Sequence, residues 1–337
     1  MSALLSSLRG PQLVAHFQRR CGLRPLSAAD PAERRCPEAD GRAPVSTAGS
    51  PRERGKSESN GALNGAAVVM YIGQTSKDVL RWPRPPSPPV IKLEVRVDAE
   101  YGMPSTHAMA ATAIPFTFLL ATMNRYKYPF ELGLLFALTI CVLVSLSRIY
   151  TGMHTVLDVL CGIAITALLV TVSYPFWDAI ETFQMKNCFA PVLALTLSFL
   201  LSINYPELDH WSTARGDTTN IVSAGGGAAV ATWINYQWGL ILEPLSAPPY
   251  EMPLVTPELL GRMVARFTIG IVIVFFARQA IKSVALAFVC KLAGVSPGDQ
   301  EARKLLWVEV PYKYITYSCL GVVGLALCPA VHRYLSL

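Results

Sequence analysis

The sequence predicts an all-α fold, a polytopic bundle of membrane-spanning helices, and three observations carry that prediction. Apolar residues make up 52% of the 337 positions and charged residues only 15%, with a mean hydropathy of +0.37, a balance foreign to a soluble domain. The apolar residues gather into runs near bilayer length, about 107–123, 132–150, 157–177, 189–204, 221–242, 265–290 and 313–331, against the roughly 20 residues that cross the hydrocarbon. The connections between these runs carry charge or proline, as loops at a membrane surface do.

In chain order, Leu4, Leu5, Leu8, Leu13, Val14 and Phe17 recur at near-helical spacing before Arg19-Arg20, the pattern of a short amphipathic surface helix or of an unstructured end. The segment from Cys21 to Asn60 is rich in Pro, Ala, Gly, Ser, Arg and Glu, a composition unable to bury a core. Residues 1–60 are therefore expected to be a disordered cytosolic tail, residues 61–180 a catalytic membrane core, and residues 181–337 additional C-terminal membrane helices. Gly61 to Thr75 is apolar but short, an incomplete span. Residues 78–103 hold the Pro-rich stretch with Lys92, Glu94, Arg96, Asp98 and Glu100, an interfacial loop or short helix placed to cover a site.

Gly225-Gly226-Gly227, flanked by alanines, reads as a close helix contact. Arg278 and Lys282 read as the snorkelling end of a shorter helix. Arg215 and Asp217 read as a loop that either contacts a substrate head or forms a plain salt bridge, while His210 and His332 read as interfacial residues. The net charge of +6, concentrated in the tail and in phosphate-suited stretches, points to anionic head groups; no nucleic acid is expected as a partner. The eight cysteines are scattered without metal spacing, so neither zinc nor a disulfide framework is expected.

Three stretches carry chemistry. In Ser147-Arg148-Ile149-Tyr150-Thr151-Gly152-Met153-His154-Thr155-Val156-Leu157-Asp158, His154 and Asp158 stand four apart. On one helix face the Asp158 carboxylate would bond one ring nitrogen of His154 and leave the other free to attack. Arg148 offers a planar fork suited to phosphoryl oxygens. Upstream, Lys77 and Arg84 add two cations, Arg84 stiffened by Pro83 and Pro85. Between them, Ser105 and Thr106 open a helix whose free N–H groups suit an anion, and His107 stands beside them as a proton donor. Counting crossings from Lys77 brings all three stretches to one membrane face. Arg125 and Lys127 fall on the opposite face, and with the basic tail they suggest that the opposite face is cytosolic and the site lumenal.

Lys-x6-Arg-Pro, then Pro-Ser-x-His, then Ser-Arg-x5-His-x3-Asp resembles the type 2 phosphatidic acid phosphatase superfamily. The likeness to its sphingosine-1-phosphate phosphatase branch runs further, through Arg84-Pro85-Pro86-Ser87-Pro88-Pro89, Glu100-Tyr101-Gly102-Met103-Pro104-Ser105-Thr106-His107-Ala108-Met109, Ala214-Arg215-Gly216-Asp217-Thr218 and Glu309-Val310-Pro311-Tyr312. Thr106 stands where the wider superfamily usually has Gly, a subgroup feature. The resemblance implies a phosphatase that needs no metal or other cofactor. His154 would be the nucleophile, Asp158 its partner, His107 the acid and base, and Lys77, Arg84, Ser105, Thr106 and Arg148 the phosphate binders. The implied substrate is a sphingoid base phosphate lipid taken from the bilayer of the endoplasmic reticulum; a broader lipid or isoprenyl phosphate phosphatase and a non-catalytic truncated form are the rivals. The superfamily core resembles six helices with the first motif after the third, so two leading spans are expected to be absent here.

Overall fold

The computed structural model describes residues 2–23, 58–94, 100–206, 212–240, 249–252 and 254–337. Two short helices, α1 (Ser2–Arg9) and α2 (Pro11–Arg20), open the chain. Proline is placed at the start of α2, where its missing N–H costs nothing. Of the two readings of this segment, residues 2–20 take the helical one. Val14, Ala15 and Gln18 are fully buried, the two apolar ones in a cluster with Val90, Ala108, Ile149 and Val159. The apolar spacing visible in the sequence needed a receiving groove, and only the folded core supplies one. The rest of the expected tail, 24–57, lies outside the described residues.

The docking site of α2 also corrects the topology. It packs beside the phosphate-suited loops through Gln18, so residues 11–20 lie at that end of the bundle and not with Arg125 and Lys127.

The short run at 61–75 proves to be the middle of a continuous helix, α3 (Glu58–Leu80, 23 residues). Polar residues broke the apolar run, yet Gln74, Lys77 and Asp78 are turned inward and buried, so the helix goes on where the hydropathy stops. It ends at Arg81, which adopts a left-handed φ of 49°. There follow α4 (Thr106–Thr122), α5 (Phe130–Tyr150), α6 (Val156–Ser173), α7 (Trp177–Lys186), α8 (Ala190–Ile203), α9 (Ala214–Gln237), α10 (Pro257–Ala293), α11 (Leu306–Val322) and α12 (Cys328–Tyr334). Among the described residues the only strand pairing is a parallel contact of Tyr126–Lys127 with Tyr250–Glu251, at the end of the bundle away from Lys77.

Four stretches, Phe130–Tyr150, Val156–Lys186, Pro257–Ala293 and Leu306–Tyr334, are long and apolar enough to cross a membrane, and Thr106–Thr122 and Ala190–Ile203 are shorter apolar helices. The expected span 221–242 corresponds to α9, which begins seven residues earlier because Arg215 and Asp217 form its first turn and not a loop. This helix is the centre of the bundle, in contact with α3, α7, α8 and α11. It buries Thr218, Thr219, Ser223 and Thr232 among small residues, which suits a helix facing protein on every side. Its glycines are the reason for the close fit. A Cβ on Gly227 would overlap the Ser318 backbone of α11, and one on Gly226 would meet Ser198 Oγ of α8 at 2.6 Å.

Candidate active site

Three segments meet where α3 ends, α4 begins and α5 turns into α6. Lys77 sits in the last turn of α3 with its side chain 2% exposed. Arg84 follows in the proline-bounded stretch, donating from Nε to the Glu100 carbonyl at 2.8 Å and from Nη1 to the Met153 carbonyl at 3.1 Å. The second bond ties the first motif to the residue preceding His154.

Ser105 is the N-cap of α4, its hydroxyl accepting from the Ala108 N–H at 3.5 Å. Its own N–H donates to the Asp158 carbonyl at 3.0 Å, which joins the second motif to the third and removes one donor from those expected for an anion. The N–H groups left without an intrahelical acceptor at this end are those of Thr106 and His107. Thr106 is buried, while residue His107 keeps solvent-exposed surface.

The third motif bends at Gly152, whose φ of +72° and whose approach to the Ile91 carbonyl exclude any Cβ. Helix α6 then starts one residue after Thr155, not at His154. Thr155 and Asp158 form a capping box, in which Asp158 N–H donates to Thr155 Oγ1 at 3.2 Å and Thr155 N–H to Asp158 Oδ2 at 2.7 Å. The expected shared helix face and direct bond are therefore corrected. His154 Nδ1 stands 3.8 Å from Asp158 Oδ2, beyond hydrogen-bond reach. Asp158 holds His154 by fixing the turn before the helix and by keeping a negative charge beside the ring.

Both side chains are almost fully buried, 2% and 0% exposed. Burial pushes the His154 imidazole from 6.5 down to about 4, with Lys77 and Arg84 adding to the effect and Asp158 opposing it. Arg148, in the last turn of α5, pairs through Nη1 with Glu94 Oε1 at 3.4 Å. Burial and then the charges of Arg148, His154 and Lys77 all act on His107. The eight residues singled out in the sequence thus lie in one connected site. Among the described residues no group of three His, Cys, Asp or Glu side chains stands where it could hold a metal ion.

Several residues that build the site gave little or no sign in the sequence. Glu100, one charge among several in the loop, accepts from Lys77 Nζ at 2.9 Å and Arg84 Nη2 at 3.4 Å through Oε2, and from Thr213 Oγ1 at 3.1 Å through Oε1. Gln18 uses its whole amide. Its Nε2 donates to the carbonyls of Ile91 at 2.7 Å and Tyr150 at 2.9 Å, and its Oε1 accepts from the Ile91 N–H at 3.0 Å. Tyr205 donates to Asp78 Oδ2 at 2.5 Å, pinning the last turn of α3. Arg215 pairs with Glu309 of α11 at 2.6 Å, a link between helices and not a contact of the phosphate-suited cluster.

Residues 60–181 match the model of the PAP2 superfamily, which spans α3 to α7 and with them every motif residue. Over its whole length the chain is 42% identical to sphingosine-1-phosphate phosphatase 2 of Mus musculus, in an alignment of 353 residues that covers all of both chains. The chain belongs to the sphingosine-1-phosphate phosphatase family of the PAP2 superfamily. Sphingosine-1-phosphate phosphatase 2 of Homo sapiens is 40% identical over 398 residues, again covering both chains fully. Sphingosine-1-phosphate phosphatase 1 of Rattus norvegicus is 42% identical over 272 residues, 80% of this chain and 63% of that relative. No solved structure matches the chain. Within this family membership, α8 to α12 lie beyond the superfamily match, and they reach the site through Thr213 at the start of α9.

Proposed function

We propose that this chain hydrolyses sphingosine-1-phosphate and related sphingoid base phosphates to the free base and phosphate, as a multi-pass enzyme of the endoplasmic reticulum membrane. The observation that carries the reading is the convergence of three motifs at one end of the bundle, tied by the Arg84–Met153 and Ser105–Asp158 bonds. They surround a neutral, buried His154. In the first step Nε2 of His154 attacks phosphorus, the bond to the ester oxygen breaks, and His107 gives that oxygen its proton, releasing the sphingoid alcohol. In the second, water attacks the phosphohistidine while His107 takes a proton from it, and phosphate leaves with His154 restored.

Lys77, Arg84, Arg148 and the N–H groups at the start of α4 stabilise charge spreading over the equatorial oxygens, the term on which phosphoryl transfer chiefly depends. A single-chain lipid lying in the leaflet can present its wet head to a site at the membrane surface while its tail stays among the exposed apolar side chains of α4 to α6.

Phosphate release by membranes bearing the chain, with sphingosine-1-phosphate and phosphatidate side by side, tests the reading. Faster hydrolysis of the sphingoid substrate, inhibition by vanadate and no loss in excess chelator are expected. Preference for phosphatidate would make the chain a broader lipid phosphatase, and activity lost to chelator and restored by magnesium would replace the phosphohistidine mechanism with a metal-assisted one.

A further inference from the structure

Glu100 is out of place in a site built only for an anion. Its Oε2 lies on both Lys77 and Arg84, where its negative charge opposes the phosphate dianion those cations are there to bind. The other pairing, Arg148 with Glu94, differs in kind, because Glu94 is 42% exposed and such a solvated pair is worth little. Glu100 has only 11% of its side chain exposed. The neighbouring cations hold its carboxyl below the usual range against the opposing effect of burial, so it is ionised at neutral pH. It is also held from three directions: by α3 through Lys77, by the proline-bounded stretch through Arg84, and by the start of α9 through Thr213. A carboxylate has about four acceptor positions, and three are used here by Lys77, Arg84 and Thr213, leaving one on Oε1 for a ligand.

A sphingoid base phosphate carries an ammonium on the carbon next to the one bearing the phosphate. A fixed carboxylate beside the phosphate cations complements that zwitterion and no other common lipid phosphate monoester. Resting on the phosphatase reading above, we propose that Glu100 is the specificity determinant of this site, accepting the substrate's ammonium on Oε1 while Lys77 and Arg84 hold its phosphate. Phosphatidate and alkyl phosphates have no cation to offer there and meet only the repulsion. Specificity of this kind is a difference between substrates, produced as much by the charge left unpaired as by the contact made.

The test compares sphingosine-1-phosphate with its N-acetyl derivative, which keeps chain and phosphate but loses the charge, in membranes bearing the full chain. The wild type should show a kcat/KM about 10- to 100-fold higher for the free amine, the range of one charge-assisted contact. Glu100→Gln should bring the ratio close to one, whatever the fall in both rates from the disturbed cations, and Glu100→Asp should keep part of it. A wild-type ratio near one, or a Glu100→Gln variant that changes both substrates by the same factor in either direction, overturns the proposal and leaves Glu100 as a holder of cations. The wild-type comparison needs no variant to fold. Hydrolysis of neither compound by the wild type would instead overturn the phosphatase reading beneath it.

Discussion

His154 is buried to 2% of its side chain and is neutral because burial makes the charged ring costly, which is the state a nucleophile requires. His154→Ala should abolish turnover with the protein still inserted, whereas Ser105→Ala should leave residual activity, since the N–H groups of Thr106 and His107 remain. Lowering of the pKa from 6.5 to about 4 means that the attacking form persists as pH falls through 6.5 and is lost only near 4. Phosphoenzyme formation from an activated aryl phosphate, followed by rapid quench, should therefore change less than about threefold from about pH 7 to about pH 5.5. A loss of about eightfold over that interval would show that the ring titrates normally.

Asp158 and Thr155 share one capping box but not one function. Asp158→Asn removes the charge beside Nδ1 and should lower kcat by about two to four powers of ten, as loss of an orienting carboxylate does elsewhere. Thr155→Ala loses only a cap, about 1 kcal/mol of stability, and should appear in thermal inactivation more than in kcat.

At the scale of elements, the site depends on segments that have no chemistry of their own. The α1–α2 pair looks like a dispensable tail in the sequence, yet Gln18 of α2 bridges the loop at Ile91 to the end of α5 at Tyr150. Gln18→Leu strands a buried N–H and two buried carbonyls, each costing about 1–3 kcal/mol when left unpaired. Its kcat should fall with little change in KM, because the bend carrying His154 loosens while the cations stay in place. Equal activity and equal thermal resistance in this variant would show that the N-terminal helices merely rest on the core. Gly152→Ala should be harsher, since its φ of +72° and the Ile91 carbonyl leave a Cβ no room; little folded protein is expected in a detergent-solubility assay.

For the whole molecule, α2, the loop at 294–305 and the motif loops lie at one end of the bundle, with the Tyr126–Lys127 pairing at the other, and the expected topology puts the two ends on opposite membrane faces. Epitope tags at the N-terminus and after Gly298 should share protease accessibility in sealed vesicles, opposite to a tag inserted beside Lys127. Accessibility of the first two from different sides would break this topology. Helices α8 to α12 are also more than lipid filler. Central α9 holds Glu100 through Thr213 at one end and is locked to α11 by Arg215 and Glu309. A Thr213→Val substitution is therefore expected to lower kcat/KM severalfold from a helix outside the superfamily match, measured on sphingosine-1-phosphate.

Hydropathy by itself determined that the chain is a helical membrane bundle, because crossing hydrocarbon demands long apolar runs, and motif order and spacing singled out eight side chains that the fold gathers at one end of the bundle. Both properties are local: each span is written in one contiguous window, and each motif lies within a dozen residues. What only the tertiary structure decided is everything that depends on which windows touch. Polar Gln74, Lys77 and Asp78 ended the apolar run but not the helix, because α9 and the site shield them. His154 and Asp158 were four apart in sequence, yet the cap at Thr155 and not a helix face governs their approach. Gln18 and Thr213 stand 73 to 132 residues from the groups they hold and Glu100 stands 16 and 23 from its cations, and nothing in a single sequence marks such hydrogen bonds; they exist only once the helices have packed.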